Sequence, residues 1–176
     1  MMEQDRIESV KRNIGRVLSF VDCAVVVDNG STDGTREWLL SQEKVVPVFR
    51  SWNDSFVEGR NAYLRATDDI AVQTEGFVVL AVADDDELYS NELLENLGKI
   101  AQGMVEDDFN VLRIRCRSVE TDWNGDLHWS CLDEWSKPLL LLHEPGMRYR
   151  GIGQSEVHED LVIPSGRREM TLPDEG

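Results

Sequence analysis

The run Val25-Val26-Val27-Asp28, followed by Asn29-Gly30-Ser31-Thr32-Asp33-Gly34, restricts this chain to a small set of folds. Uninterrupted β-branched residues suit a strand buried on both faces, the situation of a parallel sheet covered by helices. The strand ends in a carboxylate and a glycine turn, so it delivers polar groups to the carboxyl end of a sheet, where open α/β folds bind ligands. Asp33 or Thr32 can cap a helix that begins near Gly34, with its first amides aimed at the same place. A second apolar stretch, Phe77 to Ala83, runs directly into Asp84-Asp85-Asp86-Glu87. Two aspartates one residue apart at a strand end can share a hard divalent cation that also grips a diphosphate.

The remaining pattern alternates helix and strand. Ile7, Val10, Ile14, Val17 and Leu18 recur at helical spacing and predict a helix over residues 5–20. Val45 to Phe49 reads as a strand, and residues 55–67 as a helix with a narrow apolar stripe that carries Arg60. Ser90 can cap a helix whose stripe is Leu93, Leu94, Leu97, Ile100, Ala101 and Met104, with Gly103 at its end. From residue 110 the period changes to two, with Leu112, Ile114 and Cys116 on one face and Arg113, Arg115 and Arg117 on the other. Asn124-Gly125 predicts a hairpin, and Leu139 to Leu142 a buried strand. The sequence therefore reads as one α/β domain over residues 1–163, with a β/α half and a β-rich half. A flexible polar tail over 164–176 completes it.

With 176 residues and 41% apolar content, one core is the natural expectation. The formal charge of −16 disfavours nucleic acid and anionic membranes as partners. Cys23, Cys116 and Cys131 are odd in number and widely spaced, which suits a reducing compartment, and Cys23 and Cys116 fall in strand-like segments where buried thiols are expected. No apolar run reaches the ~18 residues of a membrane span, and the first residues lack a signal-peptide pattern, so a cytoplasmic location is expected.

Four motifs in order give a resemblance. They are Val26-Val27-Asp28-Asn29-Gly30-Ser31-Thr32-Asp33; Trp52-Asn53-Asp54-Ser55-Phe56 with Arg60-Asn61; Asp84-Asp85-Asp86-Glu87; and Val157-His158-Glu159. Over residues 13–161 the chain resembles the soluble family 2 glycosyltransferases of the GT-A fold, a Rossmann-like domain with a mixed, mainly parallel sheet. The resemblance implies transfer of a sugar from a nucleoside diphosphate sugar to an acceptor, with Mn²⁺ or Mg²⁺ and inversion at the anomeric carbon; without an apolar or amphipathic anchor in the sequence, a soluble acceptor is favoured.

Position by position, the resemblance places Asp28 on the donor base, with Ser31 and Asp33 near the nucleotide. Asp28 and Asp33 also read as a turn carboxylate and a helix cap. Arg60 matches a diphosphate or nucleotide contact. Asp84 and Asp86 match the metal-binding pair, Asp84 also touching the ribose, with Asp85 beside them. His158 is a further metal ligand or phosphate donor. Glu159 or Asp160 is the base that takes the acceptor's proton.

The chain departs from the family at its start. GT-A domains open with a strand lying between the one that ends at Asp28 and the one that ends at Asp84, whereas residues before Val21 read only as helix. A partner chain or homo-oligomer filling that gap is one expectation, and a binding or scaffold protein without turnover another. A nucleotidyltransferase is the remaining alternative, although a Gly- and Lys-rich phosphate loop near the amino terminus is not found.

Overall fold

The computed structural model describes residues 2–172 apart from 4, 85, 86, 88, 122–126 and 153–154. For strand residues 2–3, 117–121, 127–134 and 155–158 only the backbone path is described. The elements follow in chain order. The first half holds β1 (Met2–Glu3), α1 (Ile7–Val17), β2 (Ala24–Asp28), α2 (Thr35–Leu40), β3 (Val45–Phe49), α3 (Phe56–Val72), β4 (Val79–Ala81) and α4 (Asn91–Glu106). The second half holds β5 (Val111–Thr121), β6 (Leu127–Leu142), β7 (Arg148–Ile152), β8 (Ser155–Val162) and β9 (Glu169–Thr171). Among the described residues no helix is long and apolar enough to cross a membrane.

Three sheets carry the strands, in the orders β1-β2-β3, β4-β6-β5-β9 and β7-β8. The first is parallel. The second is antiparallel except for β9, which lies parallel to β5, and the third is antiparallel. The α/β class is as expected, but parallel pairing does not dominate, because the β-rich half folds by hairpin-like pairing rather than through crossover helices. The Asn124-Gly125 turn lies outside the described residues. The strands on either side of it do pair antiparallel.

Hydrophobic burial is divided among three clusters. Val10 and Ile14 of α1 pack with Val26, Leu39 and Val45. Ala62, Tyr63 and Leu64 of α3 pack with Val27, Val82, Leu141, Tyr149 and Leu161. Leu94, Leu97 and Met104 of α4 pack with Leu112, Leu139 and Leu140. Val26 and Val27 enter different clusters, as expected for consecutive strand residues facing opposite ways.

Several boundaries differ from the sequence reading. Helix α3 runs past Thr67 to Val72; the Thr67 hydroxyl donates to the Tyr63 carbonyl within the helix, 2.9 Å away, and His143 holds Asp68 at 2.8 Å. Helix α4 continues beyond Gly103 to Glu106, and Asp108, at φ +59°, takes the left-handed position that glycine was expected to supply. The expected tail is ordered up to Leu172. Glu169–Thr171 adds a strand to β5, Met170 and Leu172 pack on the α4 cluster, and Asn110 accepts from the Arg168 amide. Two apolar side chains in a polar stretch are enough to seat a strand whose backbone finds an open edge.

The start of the chain also corrects the sequence reading. Residues before Val21 include a strand: Met2 and Glu3 pair parallel with Val27 and Asp28. Its two residues are too few for periodicity to reveal.

Candidate functional site

Asp28 closes β2 and is fully buried. Its Oδ1 accepts from the amides of Gly30 and Ser31, at 3.0 and 2.7 Å, which fixes the turn. Gly30 has φ +103°, a left-handed conformation that favours glycine. The other oxygen, Oδ2, has no hydrogen-bond partner among the described residues. Arg36 of α2 lies beside it, Nε at 3.4 Å, with its guanidinium over the Phe49 ring. Asp28 thus caps the turn with one oxygen and faces Arg36 with the other.

Ser31 and Asp33 are engaged by the start of the chain. The Ser31 hydroxyl accepts from the Asp5 amide at 2.9 Å, and Asp5 in turn accepts from the Thr32 amide at 2.6 Å. Asp33 accepts from the Ile7 amide at the head of α1 and from the amide and hydroxyl of Thr35 in α2. Burial raises its carboxyl, but these hydrogen bonds together outweigh that and hold it below the ordinary carboxylate value. Asp33 is therefore a cap for two helices, one of the two readings its position in the sequence allowed.

The second half of the site centres on Arg60, which α3 points toward β8. Its Nε donates to the Glu159 carboxylate, and its two terminal nitrogens each lie 3.3 Å from an oxygen of Asp84. The Tyr149 ring sits 5.7 Å from the guanidinium carbon, and the Tyr63 hydroxyl is 2.9 Å from the Tyr149 hydroxyl. Burial alone would lower the Arg60 pKa; Asp84 first, and Glu159 among others, reverse this and raise it above the ordinary value. Asp84 shows the converse. Burial raises its carboxyl, and Arg60 followed by Lys137 overrides that to hold it below the usual range.

Two further side chains anchor this region. Lys137 of β6 pairs with Glu87 and lies 3.6 Å from Asp84 Oδ2. Glu87 accepts from the Asp84 amide at 2.9 Å and so holds the turn. Asn61 grips the β7 backbone at Tyr149 from both sides, donating to its carbonyl at 3.0 Å and accepting from its amide at 2.7 Å.

Glu159 and Asp160 diverge, as neighbours on a strand must. Glu159 meets Arg60. Asp160 instead accepts from Arg150 at 3.1 Å and Arg167 at 2.9 Å. Asp85, Asp86 and the His158 side chain lie outside the described residues. Among the described residues no group of three or more His, Cys, Asp or Glu could hold a metal ion.

The sequence motifs thus converge from α3, the end of β4 and β8 onto one cluster, while Asp28 lies at the end of β2. A family model for glycosyl transferase family 2 matches residues 4–159. The chain belongs to glycosyl transferase family 2. That membership brings the GT-A fold and a nucleotide-sugar donor. No curated protein matches the chain significantly.

Sequence reasoning missed four residues around the candidate side chains: Asp5, Arg36, Asn61 and Lys137. Asn61 had a signal, since it follows Arg60 in a quoted motif. Lys137 had none, because it reaches the Asp84 turn only through the pairing of β6 with β4.

Proposed function

We propose that this glycosyltransferase takes a uridine diphosphate sugar and transfers the sugar, with inversion, to an acceptor hydroxyl. The observation that carries the donor assignment is the Asp28 carboxylate, with one oxygen committed to the turn and the other buried and without a hydrogen bond. A single acceptor suits the one imide N–H of uracil; guanine presents two adjacent donors and calls for both oxygens. Arg36, half exposed, turns aside to admit the base and can donate to a carbonyl flanking that N–H.

In the transfer step, the acceptor oxygen forms a bond to the anomeric carbon as the bond from that carbon to the diphosphate oxygen breaks. The acceptor's proton goes to Glu159, the member of the pair that faces Arg60 and Asp84. Arg60, with its fork of donors, and Lys137, both paired with Asp84, are the cations we assign to the leaving diphosphate. Carboxylate oxygens are the donor type that Mn²⁺ or Mg²⁺ takes, so Asp84 and Asp86, with His158, fit a divalent cation. When bound, it supplies Lewis-acid neutralisation of the diphosphate. Ser31 and Asp33 support this site by ordering the turn and the helix ends around it.

Isothermal titration with UDP, GDP and CDP, with and without Mn²⁺, tests the reading on wild type, Asp28→Asn and Asp86→Ala. The expected result is metal-dependent UDP binding, weakened in both variants, with GDP and CDP weaker. Failure of a folded chain to bind any nucleotide overturns it in favour of a scaffold role.

A further inference from the structure

Trp52 and Phe56, the aromatic members of the second sequence motif, take no part in the acidic cluster, yet they stand beside it. Phe56 opens α3 one turn before Arg60, and the same stripe continues through Tyr63. Residues four apart on a helix share a face, and side chains lean toward the helix's amino end, so the Arg60 side chain inclines toward Phe56. Arg60 in turn meets Glu159. Tyr63 and Thr67, further along the stripe, are buried, whereas Phe56 is 39% exposed. A large apolar ring therefore stays in solvent at the edge of a polar cluster.

The second ring is fixed against the first. Trp52 packs edge-on to Phe56, with ring centroids 5.1 Å apart and planes at 73°, an arrangement that aromatic pairs favour. The Trp52 indole N–H donates to Asp54 at 2.8 Å, and the Trp52 amide to the Asn29 carbonyl at 3.1 Å. Arg50 ties down the same loop, donating to Asn29 at 2.8 Å and to Asn53 at 2.5 Å. The loop thus hangs from the turn that Asp28 caps, and both rings are held in place before a ligand arrives. Asp28 itself points to the other face of β2, the face on which Val26 packs with α1, whereas Val27 packs with α3. The two rings belong to the α3 side, with Arg60 and Glu159, and not to the side of the buried Asp28 oxygen.

The surroundings of the rings select their ligand. Ser51, Asn53, Asp54 and Glu58 are exposed polar residues, so the apolar patch is about one ring wide and polar at its rim. An alkyl chain calls for a longer apolar track, and an extended peptide for a row of backbone groups. A pyranose matches the patch, because its C–H face can lie on an aromatic ring while its hydroxyls turn outward to polar groups.

We propose that Phe56 and Trp52 form the acceptor platform and that the acceptor is a carbohydrate, its sugar ring lying on Phe56 with the reacting hydroxyl toward Glu159. The assignment rests on Glu159 being the base of the transferase, which takes that hydroxyl's proton. Asn53 and Asp54 supply polar groups at the edge of the bound ring.

The test follows the Trp52 indole signal, assigned with Trp52→Phe, in the nitrogen–proton correlation spectrum of the full chain. Methyl glycosides of glucose, galactose, mannose and N-acetylglucosamine are added with and without UDP and Mn²⁺. At least one glycoside is expected to shift the signal. Phe56→Ala is expected to weaken binding of that glycoside by about tenfold and Phe56→Tyr to keep it within about twofold of wild type, with UDP binding the same in all. UDP binding with no shift by any glycoside overturns the acceptor assignment alone. So does equal glycoside affinity in wild type and Phe56→Ala, or a shift produced by a Ser- and Thr-containing peptide and by no glycoside. A glycoside shift in a chain that binds no nucleotide overturns the transferase, and the acceptor role with it, and leaves a sugar-binding surface.

Discussion

The Arg60 guanidinium on α3 donates to the Glu159 carboxylate on β8, 99 residues further along the chain. The same side chain reaches Asp84 at the end of β4, so one cation holds two acidic motifs in register. Arg60→Lys keeps the charge and loses the fork. Turnover, read as release of the nucleoside diphosphate, is expected to fall by roughly 10- to 100-fold with little change in the circular dichroism spectrum. Activity within twofold of wild type would show that the second contact is dispensable.

Glu159 and Asp160 face different partners, which makes the choice of base testable. Glu159→Gln is expected to lower kcat by about 100-fold or more, the contribution of a positioned base. Asp160→Asn leaves kcat within a few fold, because Asp160 instead ties Arg150 to Arg167. Equal losses, or the reverse order, refute the assignment.

The hydrogen bond between the Tyr63 and Tyr149 hydroxyls, 2.9 Å apart and buried, predicts a non-additive pair. Tyr63→Phe leaves the Tyr149 hydroxyl without this partner and costs about 1–2 kcal/mol. The double substitution to Phe removes both polar groups and is expected to cost less than the sum of the single changes. Urea unfolding of the four proteins measures the coupling, and simple additivity would rule it out.

Long apolar strands and amphipathic helices were legible because periodicity reports which face is buried: β2, β3, α1 and α4 fall where Val26, Val45, Ile14 and Leu94 indicate. The Asp84 motif stood out because consecutive carboxylates after an apolar strand repel one another unless cations meet them, and Arg60 and Lys137 do meet Asp84. Contacts made across sequence were not legible. Lys137 gives no local sign that β6 will carry it to Glu87, and Met2–Glu3 is shorter than one alternation. Asp33 shows a third limit. Its place in the motif fits a ligand contact or a cap, and the cap at α1 becomes visible only where the Ile7 amide meets it.

Asp84 gives the last prediction, through pH. Burial raises its carboxyl, but Arg60 and then Lys137 outweigh that, so its folded pKa lies below its unfolded value. The unfolded chain therefore binds the proton more readily, and stability falls as pH falls. Asp84's contribution is complete above the ordinary aspartate value of about 3.9. It is lost as the pH drops from there through the lower folded value. Urea midpoints for wild type and Asp84→Asn, taken from pH 7 to pH 2.5, are expected to differ most at neutral pH and to converge in acid. Parallel curves across the whole range would mean that the ion pairs with Arg60 and Lys137 add nothing to folding. A variant more stable than wild type at pH 7 would mean that the cost of burying the carboxylate exceeds what its two cations return.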